Sequence, residues 1–146
     1  MTESAERLTP MLLRTQNRCF GCGQANENGL RLEFLIAEDK SVVCQLEVPE
    51  RFEGPPGTVH GGIIATMLDE AMSKSIRAQG VTAVTRQMEV EYLRPVHPVT
   101  PIRIEGRLLR SEGRKYWTEG RILNPRGRVL AESKGMFIEL GSGHGF

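Results

Sequence analysis

The stretch Gly57–Ile76, GTVHGGIIATMLDEAMSKSI, gathers most of the residues in this chain that could do chemistry. His60 precedes two glycines, Gly61 and Gly62, and an apolar run at helical spacing follows them. Amides at a helix start lack partners and carry the positive end of the dipole. Glycines there let a ligand approach the backbone closely. Such a site suits a carbonyl oxygen that gains negative charge during reaction; the plainer alternative is close packing of the helix start on a strand. Asp69 lies inside the apolar run. A buried carboxylate is costly unless hydrogen-bonded, and desolvation raises its proton affinity toward that of a general base. The alternative is a structural hydrogen bond across a dimer interface. Glu70 sits four residues before Lys74, a favourable pair on a helix surface, and is read as the solvated carboxylate. His60 reads as a side chain that caps the helix start, with contact to substrate as the other reading.

Three cysteines offer a different chemistry. Cys19 and Cys22 form a CxxC in CFGCG, and Cys44 stands apart. A structural zinc site asks for a second pair of ligands at similar spacing, which the scattered His60, His97 and His144 do not supply. The expectation is therefore no metal, and a tight Gly-rich turn with small buried thiols. Three cysteines also exclude a disulfide-dense scaffold.

The elements that must position these groups follow from composition and pattern. With 146 residues, 39% hydrophobic and 25% charged, the chain suits one globular domain. A net charge of +1 gives no nucleic-acid footprint. The start, MTESAERLTPMLLRTQNR, does not read as a signal peptide. No apolar run is long enough to span a bilayer, so the expectation is a soluble cytoplasmic protein. Residues 4–14 suit a short amphipathic helix and 15–28 a polar loop. Leu30, Leu32, Phe34 and Ile36 alternate with Arg31 and Glu33 as in a strand. A second strand, SVVCQLEVPE, stops at Pro49, and residues 49–58 form a Pro/Gly loop. The helix spans about 61–78, before Gly80 as its terminating glycine. Strands follow at Thr82–Tyr92, Ile102–Arg110, Lys115–Leu123 and Val129–Leu140, with a type I turn at Asn124–Gly127 joining the last two. A helix apolar nearly all round is a buried helix. An antiparallel sheet curled round it is the economical solution.

That layout, with HGG at the helix start, resembles the hotdog-fold acyl-CoA thioesterases, and most of all their phenylacetyl-CoA-thioesterase-like branch. The matching pieces are CFGCGQANENGLRLEF, GTVHGGIIATMLDEAM, VEYLRPV, GRKYW and GRVLAESKGMF. The resemblance implies an α+β hotdog fold, a six-stranded antiparallel sheet wrapped round one long central helix over residues 29–140. An N-terminal segment, 1–28, and a flexible tail, 141–146, flank it. It implies a catalytic carboxylate at Asp69, nine residues after the histidine of HGG, and an oxyanion-binding amide at Gly61. It implies a water-holding hydroxyl at Thr85, seven residues before the tyrosine of YLRP. Some members carry an asparagine six residues before the histidine, where this chain has Gly54.

The implied activity is hydrolysis of an acyl-coenzyme A thioester, with Asp69 as general base or nucleophile and with no metal or other cofactor. His60 and Gly62 lie at the same mouth and count as substrate-binding candidates. Arg94, Arg114 and Lys115, with Arg110 nearby, could hold the phosphates of coenzyme A, or simply be surface charges at a turn. Gly61 and Asp69 are eight residues apart, roughly 12 Å along a helix at ~1.5 Å per residue. One carbonyl cannot easily reach both within one chain. The expectation is a homodimer, or a dimer of dimers, with Gly61 from one chain and Asp69 and Thr85 from the other. Two rivals are a hotdog enoyl-CoA hydratase, whose Asp/His motif is not found, and a non-catalytic acyl-CoA-binding or regulatory module. Residues 1–28 are too short for the DNA-binding segment such regulators carry.

Overall fold

The computed structural model describes residues 7–12 and 16–141. Its elements are strands β1 (Thr9–Pro10), β2 (Leu35–Ile36) and β3 (Val42–Glu47), a 3-10 turn at Glu50–Phe52, helix α1 (Gly61–Arg77), and strands β4 (Ala83–Tyr92), β5 (Pro101–Glu112), β6 (Lys115–Leu123) and β7 (Val129–Glu139). One antiparallel sheet runs in the order β1-β2-β3-β5-β6-β7-β4. It has seven strands where six are expected, because the two-residue β1 pairs with β2. Thr9 and Pro10 are thus extended where a short helix is expected; the rest of that segment lies partly outside the described residues, as do residues 142–146 of the expected tail. Among the described residues, no helix is long and apolar enough to cross a membrane.

The helix earns its place through its apolar face. Met67, Leu68, Ala71, Met72 and Ile76 are wholly buried between α1 and the sheet. The backbone approach is close where the helix crosses the middle strands. A Cβ added at Gly106 would lie 2.2 Å from the Ala71 carbonyl oxygen, and one at Gly120 would press on Met72 and Ser133. Gly106 and Gly120 face each other across β5 and β6, so the pair opens a slot in which the helix sits. Phe137, Ile104 and Ile122 complete the core around it.

The helix is not buried all round, as its composition leads one to expect. Gly62, Thr66, Asp69 and Ser73 recur at helical spacing, and Gly62 is exposed while the other three are half-buried. This stripe is polar, and it carries the candidate carboxylate. β4 ends the sheet order and pairs only with β7. Its ten residues are mostly exposed, with Val84 and Tyr92 among the exposed large side chains.

The segment that alternates over Leu30–Ile36 keeps its alternation in burial, with Leu30, Leu32 and Phe34 inward. Only Leu35 and Ile36 join the sheet ladder. Arg31 has a positive φ of 51°, which breaks the strand. The amides of Leu30 and Leu32 instead donate to Phe20 and Gly21 carbonyls, at 2.8 and 2.9 Å. The extended segment therefore pairs with the CFGCG loop.

Candidate active site

The loop before α1 is pinned to its neighbours. The amide of Val59 donates to the Val96 carbonyl at 2.8 Å, and that of His60 to the Phe52 carbonyl at 2.9 Å. His60 is the N-cap residue, and its Nδ1 accepts from the Gly62 amide at 2.9 Å. The Ile63 and Ile64 amides donate to the His60 carbonyl, at 2.9 and 3.0 Å. Three of the first four helix amides are thus occupied. The Gly61 N–H donates to no acceptor among the described residues. His60 fits the capping reading, and because it takes the Gly62 amide, Gly61 is left as the donor available to a ligand. Gly54, in place of the asparagine, packs against this loop: a Cβ there would lie 3.0 Å from His60 Cα.

Tyr92 escaped the sequence reading. Its hydroxyl donates to the Gly61 carbonyl at 2.9 Å, so the last residue of β4 fixes the orientation of the peptide plane at the helix start. YLRP carries this tyrosine, but no local pattern pairs its hydroxyl with a helix start 31 residues away.

Asp69 lies two helical turns further on. Its Oδ1 accepts the Thr85 hydroxyl at 2.5 Å. Thr85 is positioned by an irregularity in the β4–β7 pairing, where the register shifts between Thr85 and Gln87; such a bulge re-aims side chains. Burial pushes the Asp69 carboxyl above its usual range, the Thr85 hydrogen bond pulls it back in part, and the neighbouring Glu70 charge pushes it up further.

Glu70 corrects the expectation made for it. It is buried, not solvated, and Lys74 Nζ meets its Oε2 at 2.8 Å in an ion pair that is itself buried. The i,i+4 spacing was right but says nothing of burial. Burial alone would depress the Lys74 ammonium, yet Glu70 and Cys22 hold it above its usual value. Burial, reinforced by Glu70, pushes the Cys22 thiol up to about 12. Both thiols touch this pair, Cys19 through Glu70 Oε1 at 3.2 Å and Cys22 through Lys74.

The basic residues divide into two groups. Arg114 and Lys115 lie at the β5–β6 turn, where Lys115 pairs with Ile138 and Ala83 with Glu139. Arg114 Nη2 donates to the Glu139 carbonyl at 2.7 Å, and the Arg110 guanidinium stacks 3.6 Å from the Trp117 ring centre. Arg94 lies beyond the other end of β4, where its amide donates to the Leu130 carbonyl at 2.9 Å. One chain therefore carries Gly61 and Arg94 toward one end of β4, and Thr85, Arg114 and Lys115 toward the other. A cavity of about 570 Å³ opens among Arg103, Glu105, Arg107, Glu119 and Arg121, and takes in none of Gly61, Asp69 or Thr85.

A single long helix packed on a curled antiparallel sheet, with a polar stripe and a free amide at its start, defines the hotdog fold. Residues 56–131 match the family model of the Thioesterase superfamily, and the chain belongs to that superfamily. The acyl-coenzyme A thioesterase THEM4 of Bos taurus is 31% identical over 85 residues, which make up 56% of this chain and 35% of that protein. The match thus spans about a third of that relative's length. A solved thioesterase superfamily protein superposes with a TM-score of 0.77 at 28% identity, over 85% of this chain and 60% of the other. The E. coli PaaI protein from the phenylacetic acid degradation operon shares the fold, with a TM-score of 0.70 at 17% identity over 75% of this chain and 80% of that one.

Proposed function

We propose that this protein hydrolyses the thioester of an acyl-coenzyme A. The observation that carries the reading is a pair of features on one helix: the unpaired Gly61 amide at its start, and the half-buried Asp69 held by Thr85. The likeness to a protein named as an acyl-coenzyme A thioesterase supports it. In the reaction, Asp69 takes a proton from water as the water attacks the thioester carbon. The carbonyl oxygen gains charge and is met by the Gly61 N–H and the helix dipole. The carbon–sulfur bond breaks, and the proton held on Asp69 passes to the departing thiolate. Oδ1 is engaged by Thr85, so Oδ2 is the oxygen that serves as base. Direct attack by Asp69 is the other route, forming a mixed anhydride that water then opens. Single-turnover hydrolysis in heavy-oxygen water separates the two, because only the anhydride route can leave label in the Asp69 carboxyl.

The site is completed by a second copy of the chain. Gly61 and Asp69 lie ~12 Å apart along α1, and the polar stripe and the edge strand β4 are both left open. A two-fold arrangement with antiparallel helices brings Gly61 and Arg94 of one protomer to Asp69, Thr85, Arg114 and Lys115 of its partner. The basic residues that lie at opposite ends of β4 in one chain then flank one site, and the two sites are equivalent. The coenzyme phosphates fall between them, with His60 and Gly62 forming the mouth.

The test is a thiol-release assay across acyl-coenzyme A substrates of different chain length and ring content. Wild type releases free thiol from at least one of them. Asp69→Asn lowers kcat by at least about a hundredfold, the usual contribution of a general base. No release from any substrate by the folded protein, or full turnover by Asp69→Asn, would overturn the assignment.

A further inference from the structure

The CFGCG loop and the middle of α1 meet in a second cluster, which the hydrolytic reading does not use. Cys19 Sγ lies 3.2 Å from Glu70 Oε1. Cys22 Sγ accepts from Asn17 Nδ2 at 3.5 Å. The two sulfurs and a Glu70 oxygen all lie within 4.8 Å of one another. Cys22 is 1% exposed and Glu70 8%, whereas Cys19 is partly open and gives the cluster a side of access. We propose that Cys19, Cys22 and Glu70 bind a zinc(II) ion that clips the N-terminal loop to the central helix.

The donor set suits that ion. Zinc takes thiolate sulfur at ~2.3 Å and carboxylate oxygen at ~2.0–2.2 Å in tetrahedral array. Tetrahedral angles then set neighbouring donors roughly 3.5–3.8 Å apart, a spacing these side chains reach by small rotations. The outer shell is in place as well. Lys74 holds Oε2 of Glu70 at 2.8 Å and leaves Oε1 toward the sulfurs; a ligating carboxylate held this way is the usual second-shell arrangement. Charge also closes. Two thiolates and a carboxylate carry three negative charges, and zinc with the Lys74 ammonium supplies three positive. A water molecule fills the fourth position.

The loop is shaped around Glu70. A Cβ at Gly21 would lie 2.4 Å from Glu70 Cγ, so any side chain there would expel the carboxylate from the cluster. A Cβ at Gly23 would lie 2.4 Å from the Cys19 amide nitrogen, so glycine is also needed to close the turn that brings the two sulfurs together. The Gly23 amide donates to the Cys19 carbonyl at 2.8 Å within that turn. A disulfide between Cys19 and Cys22 accounts for the turn but not for the carboxylate: it removes the thiol proton that Glu70 Oε1 accepts and leaves that oxygen facing sulfur. Zinc replaces two thiol protons with one ion that all three donors share, releasing both protons.

The test uses the whole protein, reduced and metal-free, titrated with cobalt(II) as a spectroscopic stand-in and then with zinc. One cobalt per chain is expected, with thiolate-to-metal charge transfer in the near ultraviolet and the visible bands of a tetrahedral ion. Zinc then displaces the cobalt and raises the melting temperature. Cys22→Ser abolishes the charge-transfer band, and Glu70→Gln weakens cobalt binding by at least tenfold. Should Cys22→Ser fail to fold, a mercurial thiol reagent added to zinc-loaded wild type releases one zinc per chain, read with a colorimetric chelator. The proposal is overturned by folded, reduced wild type that takes up no stoichiometric metal, by undiminished binding in folded Cys22→Ser, or by purified protein whose mass shows Cys19 and Cys22 joined in a disulfide.

Discussion

Thr85 reaches across from the edge strand to donate to Asp69 Oδ1 at 2.5 Å, although sixteen residues separate the two in sequence. The hydrogen bond sets both where the carboxylate lies and how readily it holds a proton. Thr85→Val keeps the shape and removes the donor. The Asp69 carboxyl, already above its usual range through burial, then rises further. The rate needs the carboxylate, so the acid limb of kcat/KM moves to higher pH. The plateau falls roughly ten- to a hundredfold, in keeping with ~1.5–3 kcal/mol for a hydrogen bond to a charged group. A pH–rate profile checks both; an unmoved limb would remove Thr85 from this role.

The same carboxylate leaves a mark on stability. Its folded-state pKa lies above the unfolded value, so the native state binds the proton more tightly. Stability contributed by protonated Asp69 is full below the unfolded value, and is lost as pH rises from there through the folded one. Asp69→Asn carries no charge to desolvate. Its melting temperature should therefore exceed that of wild type at neutral pH, and the advantage should shrink in acid, where wild-type Asp69 is protonated. Thermal melts at several pH values check this. A wild type that is the more stable form at neutral pH would show that the carboxylate is compensated in the fold.

Much of this was legible in the sequence, and what was missed shares one cause. The strand limits from β4 to β7 follow alternation and turn residues, and the Asn124–Gly127 turn closes with the Gly127 amide on the Asn124 carbonyl at 2.9 Å. The start of α1 follows from HGG. The errors fall where a distant segment decides. Glu70 and Lys74 read as a surface pair because nothing local says that the CFGCG loop covers them. The contact between Cys19 and Glu70 could not be read either, because 51 residues separate the two. Leu30–Phe34 alternated like a ladder strand, but its partner is a loop.

The basic residues make a separate prediction. Arg114→Ala and Lys115→Ala should raise KM for acyl-coenzyme A more than they lower kcat, because phosphate contacts bind ground and transition states alike. Lys115 should show the purer effect, since Arg114 also holds the Glu139 carbonyl. An acyl-pantetheine substrate, which lacks the nucleotide, should not register either change. Equal losses on both substrates would remove the phosphate contact.

The last prediction concerns the division of the site between two chains. It rests on the ~12 Å between Gly61 and Asp69 along one helix, on an open polar stripe, and on an edge strand with no partner beyond it among the described residues. Two inactive variants are prepared. Asp69→Asn removes the base. Gly61→Val blocks the amide, because even a Cβ there lies 3.6 Å from the Tyr92 ring and the two methyls of valine must crowd it or the approaching ligand. The variants are unfolded together and refolded as mixed dimers, identified by different affinity tags. With divided sites, one site of each mixed dimer takes Gly61 from the Asn variant and Asp69 from the Val variant, and is whole. The other site takes both lesions. Activity should return to about half of wild type per mixed dimer, as symmetry requires. With both groups supplied by the same chain, every site keeps one lesion and nothing returns. Inactive mixed dimers, shown by tag and mass to contain both variants, would place Gly61 and Asp69 of one site in the same chain.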